Sequence, residues 1–353
     1  MKKSIAVIFG GQSSEHEVSC MSVVNVLDNL DKEKYEIHMI GITKEGHWLY
    51  VDDIEKIKNK SWYDLAVTAV ISPDRKKPGI WKMDGDKHEI IRLDVAFPVL
   101  HGRYGEDGTI QGLFELAGIP YVGCGVLASA ASADKITTKM FVDTLNIRQA
   151  DYISDTTADD SRIEDTICEA EKKLSYPMFV KPSNAGSSVG VSKAEDRDGL
   201  REAILSAKKH DSRVLIEEMI VGRELECAVL GRKNHAGTDA SSIGEVLAAA
   251  EFYDYEAKYF NPESRTVVDP EDLPKSVKEE IRKDAVEIFE ALGGFGLSRV
   301  DFFVEEGTNE VVFNEINTMP GITDISMYPV LCEAMGIGKK ELWDRLIALA
   351  YER

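Results

Sequence analysis

The sequence predicts an α/β fold that opens with a parallel sheet and continues through two smaller units, on three observations. In the first third of the chain the apolar runs "SIAVIFG", "YEIHMIGI" and "DVAFPVLHG" alternate with amphipathic stretches, the rhythm of strands joined by crossover helices. A second pattern begins mid-chain, where a strand ending in lysine meets a glycine- and serine-rich loop. The chain's 353 residues also exceed what one hydrophobic core usually serves, so two or three domains are expected.

In chain order, "SIAVIFG" ends in Gly10 and Gly11, after which Ser13 or Ser14 can cap a helix reaching about Leu30. "YEIHMIGI" and "DVAFPVLHG" are the next buried strands, and "TIQGLFELAGI" is a short helix closed by Gly118 ahead of Pro120. Ligands of such sheets bind at the carboxyl ends of strands, where Glu15 and His101 stand. This first unit spans 1–123. The second, 124–216, holds the helix "LASAASADKITTKMFVDTL", the strand "PMFVKPS" and the helix "RDGLREAILSAKKH". The third, 217–353, opens with "VLIEEMI" and "ELECAVLG". It continues through a polar and aromatic stretch at 251–274 that fits neither period, a helix at 275–292, and a hairpin. So long an irregular stretch inside a compact domain points to function.

A formal net charge of −20 argues against nucleic acid or an anionic membrane as partner, so any phosphate site has to be a local island of positive charge. The start has only about six apolar residues after its basic pair, too few for a leader core or a span, and a cytoplasmic location is expected. The five cysteines show no CxxC spacing and read as reduced and structural, Cys227 included. His16 reads as an exposed helix residue.

"GCGVLA", 123–128, formally matches a dinucleotide fingerprint, but no acidic residue ends a second strand about 20 residues on. No GxxxxGK[ST] occurs. The informative loop is "FVKPSNAGSSVGV", 179–191, in which Lys181 supplies charge while Gly186 and Gly190 frame two serines and free backbone N–H groups for a polyphosphate. Lys135, in "SADKITTK", offers a second cation.

The hairpin "SRVDFFVEEGTNEVVFNEINTMPG", 298–321, carries the other signal. With a turn at Gly307–Asn309, a symmetric register sets Arg299 opposite Asn317, Asp301 opposite Glu315 and Phe303 opposite Phe313, so the four polar groups share one face. A solvated face with a surface ion pair would carry the same residues. Two facing carboxylates, however, call for a cation between them, and an all-oxygen set from Asp301, Glu315 and Asn317 suits magnesium and not zinc.

Taken together, "GG" followed by Glu15, "HGRYGEDGTIQG", Lys135, "VKPSNAGSSVGV", the glutamates at 217 and 218, "YDYEAKY", "SRVDFF" and "NEINTMPG" resemble the D-alanine:D-alanine ligases of the ATP-grasp fold, from Met1 to Arg353. The resemblance implies a three-domain ATP-grasp architecture and formation of D-alanyl-D-alanine from ATP and two D-alanines for peptidoglycan synthesis. It implies adenine against 217–220, involving Glu217, Glu218 and Ile220, ribose on Glu224, and phosphates on Lys135, Lys181 and Ser188. Two magnesium ions, or manganese, would sit on Asp301, Glu315 and Asn317. Glu15 would bind the first substrate's ammonium, with His101 near its carboxylate. Arg299 and the N–H of Gly321 would stabilise the oxyanion, Ser187 and Tyr259 would link to Glu15, and Lys258 and Ser326 would hold the second carboxylate. A homodimer is implied as well. The D-alanine:D-serine ligases of the vancomycin-resistance branch share most of these motifs. Met327 supplies no donor for a serine hydroxyl and favours D-alanine, and an arginine there should raise D-serine use. Asp324 reads as a helix cap.

Overall fold

The computed structural model describes residues 2–157, 159–186, 189–231, 237–247 and 265–353. Its first sheet contains β1 (Lys3–Gly10), β2 (Tyr35–Ile42), β3 (Trp48–Val51), β4 (Thr68–Ser72), β5 (Gly79–Asp84), β6 (Lys87–Ile91) and β7 (Val95–Val99), in the order β6-β5-β4-β3-β2-β1-β7. Only β2 and β7 run parallel to their neighbour β1. Ile5, Val7 and Phe9 enter one core while Ala6 and Ile8 enter another, so β1 is covered on both faces, which is why its sequence is apolar without alternation. The antiparallel extension β3–β6 was not expected. Its strands are only four to six residues long and the outermost, β6, is largely exposed, so their apolar runs are short even though Leu49, Ala69, Ile71 and Ile80 are buried.

Helix α1 (His16–Asn29) starts one residue after Glu15. Neither serine caps it. Ser13 instead accepts the Glu15 N–H at 3.0 Å and shapes the turn that carries Glu15. After α2 (Ile54–Lys58), α3 (Thr109–Ala117) ends at Gly118 with φ 66°, as its sequence requires. The expected helix at 127–145 is two, α4 (Val126–Ala133) and α5 (Lys135–Val142), because Asp134 leaves helical geometry and its carboxylate accepts the Thr137 N–H at 2.7 Å. Lys135 thereby becomes the first residue of α5.

The second sheet is antiparallel, with β8 (Tyr152–Asp155), β9 (Met178–Pro182), β10 (Ser192–Ala194) and β11 (Val214–Glu218) in the order β10-β9-β11-β8. Helices α6 (Ile163–Lys173) and α7 (Arg197–Ala207) cover it. A boundary between 216 and 217 would cut β11, a central strand of this sheet, so the chain crosses over at 219–221. The third sheet, also antiparallel, takes β12 (Gly222–Gly231), β13 (Asp239–Leu247), β14 (Arg265–Val268), β15 (Gly296–Glu305) and β16 (Val311–Asn317) in the order β14-β13-β12-β15-β16, with α8 (Lys275–Ala291) packed against it. The last helices, α9 (Met327–Ala334) and α10 (Lys339–Ala350), return to the first sheet's core, where Trp343 meets Phe97 with ring centroids 5.9 Å apart.

The hairpin departs from the expected register in its outer half. Arg299 does face Asn317 and Asp301 does face Glu315, but the pairing then shifts by one, so that Phe302, not Phe303, faces Phe313. A bulge at Asn314 sits between the two halves. Strict alternation would point Phe313 the same way as Glu315 and Asn317. The extra residue lets Phe313 turn into the core, where it meets Phe302 edge-to-face at 6.0 Å, while the polar pair keeps its own face.

Candidate active site

A cleft of about 700 Å³ lies where the three sheets approach one another. Glu15 and Glu106 reach it from the first sheet's loops, Lys135, Lys139, Lys181 and Glu217 from the second unit, and Asn314, Glu315 and Asn317 from the bulged strand β16.

Glu15 sits in the turn between β1 and α1, its carboxylate tight against two glycines. A Cβ on Gly102 would lie 2.5 Å from Glu15 Oε2, and one on Gly186 would lie 2.9 Å away. The Lys135 ammonium donates to the Ala185 carbonyl, next to Gly186, at 2.9 Å and lies 3.9 Å from Glu315. The glycine-rich loop is thus held by a cation at Ala185 and approached by a carboxylate at Gly186.

The cationic wall rests on Glu217. Its two oxygens are taken separately, Oε1 by Lys139 and Oε2 by Lys181, each at 2.6 Å. Burial alone would raise the Glu217 pKa, but the two ammonium charges outweigh it and hold the carboxyl at about 2. Burial likewise opposes the charge on Lys181, and Glu217 overcomes it, so the Lys181 pKa is raised. Glu218 points elsewhere, accepting the Asp151 N–H at 2.9 Å and lying 3.4 Å from Arg148. Ile220 belongs to the half-buried crossover, and Glu224, on β12, acts electrostatically on Lys181.

On the hairpin, the Arg299 guanidinium grips both oxygens of buried Asp301 at 2.7 Å and lies 3.3 Å from Glu226, while Asn317 donates to Asp301 at 3.1 Å. Asp301 therefore sits behind Glu315 and Asn317, which line the cleft. Glu315 and Asn317 present to the cleft oxygen atoms of the kind a hard divalent cation takes, whereas both Asp301 oxygens are held by Arg299, and among the described residues no group of three or more acidic, histidine or cysteine side chains gathers so as to hold a metal ion.

His101 is buried behind the cleft wall. Its Nδ1–H donates to the Met319 carbonyl at 2.9 Å, and Nε2 lies 2.9 Å from Ser22 Oγ. Burial disfavours its charge, but Glu106, 3.8 Å away, more than offsets this and raises the pKa. Glu106 itself accepts the Gly102 N–H at 2.9 Å, and burial raises its pKa. Gly321 is buried just past Met319, beside Ile322, whose carbonyl accepts Asn25 Nδ2 at 2.6 Å. Ser326 precedes α9 with its hydroxyl 2.7 Å from that of Thr323. Met327 does not line the cleft; it is 5% exposed and packed on Gly244, whose Cβ would fall 2.4 Å from its sulfur. Asp324 is not a cap, since Ser326 holds that position and Asp324 pairs with Lys339 at 2.7 Å. Ser187, Ser188, Lys258 and Tyr259 lie outside the described residues.

Three residues gained weight only in the structure. His16 is fully buried, not exposed: its Nδ1–H donates to the Gly11 carbonyl at 2.8 Å, its Nε2 accepts from Tyr63 at 2.7 Å, and burial lowers its pKa. Lys139 could have been found from its position four residues after Lys135, on the same helical face. Glu106 stood inside "HGRYGEDGTIQG" without a role. Cys227 is buried in the core, with its thiol pushed up to about 12, as a structural cysteine should be.

Family models for the N-terminal and C-terminal parts of D-ala D-ala ligases match residues 4–124 and 141–348. The chain belongs to the D-alanine–D-alanine ligase family. The family member from Acetivibrio thermocellus is 50% identical, covering all of this chain and 96% of its own, and that from Ruminiclostridium cellulolyticum is 51% identical with the same coverage. Among solved ligases, the VanG D-Ala:D-Ser ligase of Enterococcus faecalis superposes with a TM-score of 0.89 at 38% identity over 99% of this chain and 100% of its own. The D-alanine-D-alanine ligase of Coxiella burnetii gives 0.83 at 34% identity, over 99% of this chain and 94% of its own. The neighbours carry the ATP-grasp architecture expected from the sequence. Among the described residues no helix is long and apolar enough to cross a membrane.

Proposed function

We propose that the chain is an ATP-dependent ligase joining two D-alanines into D-alanyl-D-alanine for peptidoglycan precursors. Family membership supplies the reaction class. The observation that carries the site is a single cleft faced by Lys135 and Lys181, by Glu15, and by the oxygen donors of the β15–β16 hairpin. The ATP polyphosphate would lie along the two lysines and the glycine-rich loop through Ser188, with adenine and ribose toward Glu217, Glu218, Ile220 and Glu224. Glu15 would take the first D-alanine's ammonium and orient its carboxylate toward the γ-phosphate, with His101 supporting the wall behind it.

The carboxylate attacks the γ-phosphorus, ADP leaves, and the resulting D-alanyl phosphate is attacked by the amine of the second D-alanine. The tetrahedral intermediate then expels phosphate. Charge neutralisation and positioning supply the catalysis, with no covalent protein nucleophile required. Arg299 and the Gly321 N–H are the oxyanion donors in this scheme. By family resemblance, Ser187 and Tyr259 would link to Glu15, and Lys258 and Ser326 would receive the second carboxylate. Magnesium held by Asp301, Glu315 and Asn317 would neutralise phosphate charge when bound. Homodimerisation, a cytoplasmic location and the three-unit division belong to the same proposal by family resemblance.

The likeness to a D-Ala:D-Ser ligase makes the second amino acid the point to test. Phosphate release from Mg-ATP should require only D-alanine, and the mass of the product should be that of the D-alanine dipeptide even with D-serine present. A mixed D-alanyl-D-serine product would move the chain to the other branch, and no turnover with either would sink the ligase reading. Glu315→Ala should abolish turnover while leaving the melting temperature within a few degrees of wild type; full activity would refute the metal assignment.

A further inference from the structure

We propose that Lys139, which the scheme above does not use, is a positioning residue for the charge that binds phosphate: by neutralising Glu217 it leaves the Lys181 ammonium available to an anion. The inference rests on the nucleotide reading of the cleft and deepens it.

The triad has an uneven charge count. Two ammonium groups share one carboxylate, so one positive charge is in excess. The lysines do not compete, because each takes its own oxygen. Lys139 is 2% exposed and locked in place; its ammonium also donates to the Ala150 carbonyl at 3.0 Å and lies 5.0 Å from the Tyr152 ring. Lys181 is the more accessible partner and lies on the strand that leads into the glycine-rich loop.

As a device for stability alone, the second lysine makes little sense. One ammonium would suffice to keep Glu217 charged, and burying another adds a desolvation penalty. The arrangement makes sense if the excess charge is used. Without Lys139, Lys181 and Glu217 would cancel, and Lys135 would be left against the carboxylates of Glu315, 3.9 Å from it, and Glu224, both of which also act on Lys181. In a chain of formal net charge −20, a polyphosphate needs that local excess.

The test compares ADP with adenosine, since only ADP senses phosphate charge. Affinities are measured by calorimetry or competition for wild type, Lys139→Met, Lys139→Arg and the double variant Lys139→Met/Glu217→Gln. Lys139→Met should weaken ADP roughly tenfold to a hundredfold, the range for losing a charge-assisted contact, and leave adenosine within about threefold. Lys139→Arg should behave as wild type. The double variant removes one charge of each sign, restores the excess, and should recover the preference for ADP over adenosine. Equal loss of ADP and adenosine in Lys139→Met would mark a merely structural lysine and overturn the proposal, as would a double variant that fails to recover. Should Lys139→Met not fold, Glu217→Gln alone decides, because its ADP preference should rise, and a fall would refute the charge argument. Wild-type protein that binds neither ligand would instead overturn the nucleotide reading on which the proposal stands.

Discussion

Replacing Gly102 with alanine tests the placement of Glu15 directly. Gly102 has φ +70°, and a Cβ there would stand 2.5 Å from both Glu15 Oε2 and Ser13 Oγ. The left-handed backbone itself costs a side chain roughly 1–2 kcal/mol. The contact adds a specific effect, because Glu15 must retreat by about 0.5–1 Å to reach van der Waals distance, and a misplacement of about 1 Å in a positioning group can lower rate about a hundredfold. Gly85 provides the control, with φ +57° and nothing within 4 Å of its would-be Cβ. Gly85→Ala therefore carries comparable backbone strain without the clash. Both variants should melt a few degrees below wild type. In phosphate release titrated with D-alanine, Gly102→Ala should lose about tenfold to a hundredfold in kcat/KM while Gly85→Ala stays within about twofold. Equal kinetics for the two variants would refute the reasoning that Glu15 is seated by Gly102 and orients the first substrate.

Three further outcomes are expected. Met327→Arg would force a charge into the packing against Gly244, so it should cost several kcal/mol and lower the melting temperature by about 10 °C or more without a selective gain in D-serine product; a folded variant making mixed dipeptide would show that position 327 reaches the substrate after all. Glu217 has a folded pKa of about 2 against an ordinary 4.5, so its pairing stabilises the fold fully above about pH 4.5, and the contribution is lost as pH falls from there toward 2. Acid unfolding followed by circular dichroism should accordingly fall less steeply in Glu217→Gln than in wild type over that window, and parallel curves would contradict the shift. Of the five thiols, exposed Cys168 should react fast with a disulfide reagent, whereas Cys20, Cys227 and Cys332, pushed up to about 12 by burial, and Cys124, pushed up to about 11, should react only on unfolding; several fast thiols would argue against the burial described.

The sequence by itself determined whatever depends on short-range pattern. Strand β1 was visible because a strand covered on both faces must be apolar throughout, and α3 because Gly118 can adopt the left-handed turn that ends it. The shared polar face of Arg299, Asp301, Glu315 and Asn317 was legible because strand residues alternate, and Lys135 and Lys181 stood out beside glycines. The tertiary structure decided what depends on contacts distant in sequence. The bulge at Asn314 turns Phe313 into the core, something no alternation rule predicts. His16 is buried because Tyr63 and Trp62, more than forty residues on, close over it. Met327 reads as a pocket residue in sequence yet packs on Gly244, because α9 returns the chain to the core. Most of all, Glu217 read as part of a nucleotide strand, but its charge is set by Lys139 and Lys181, which come from a different helix and a different strand. Charge balance in a buried site is a sum over neighbours in space, and the linear order of residues does not contain that sum.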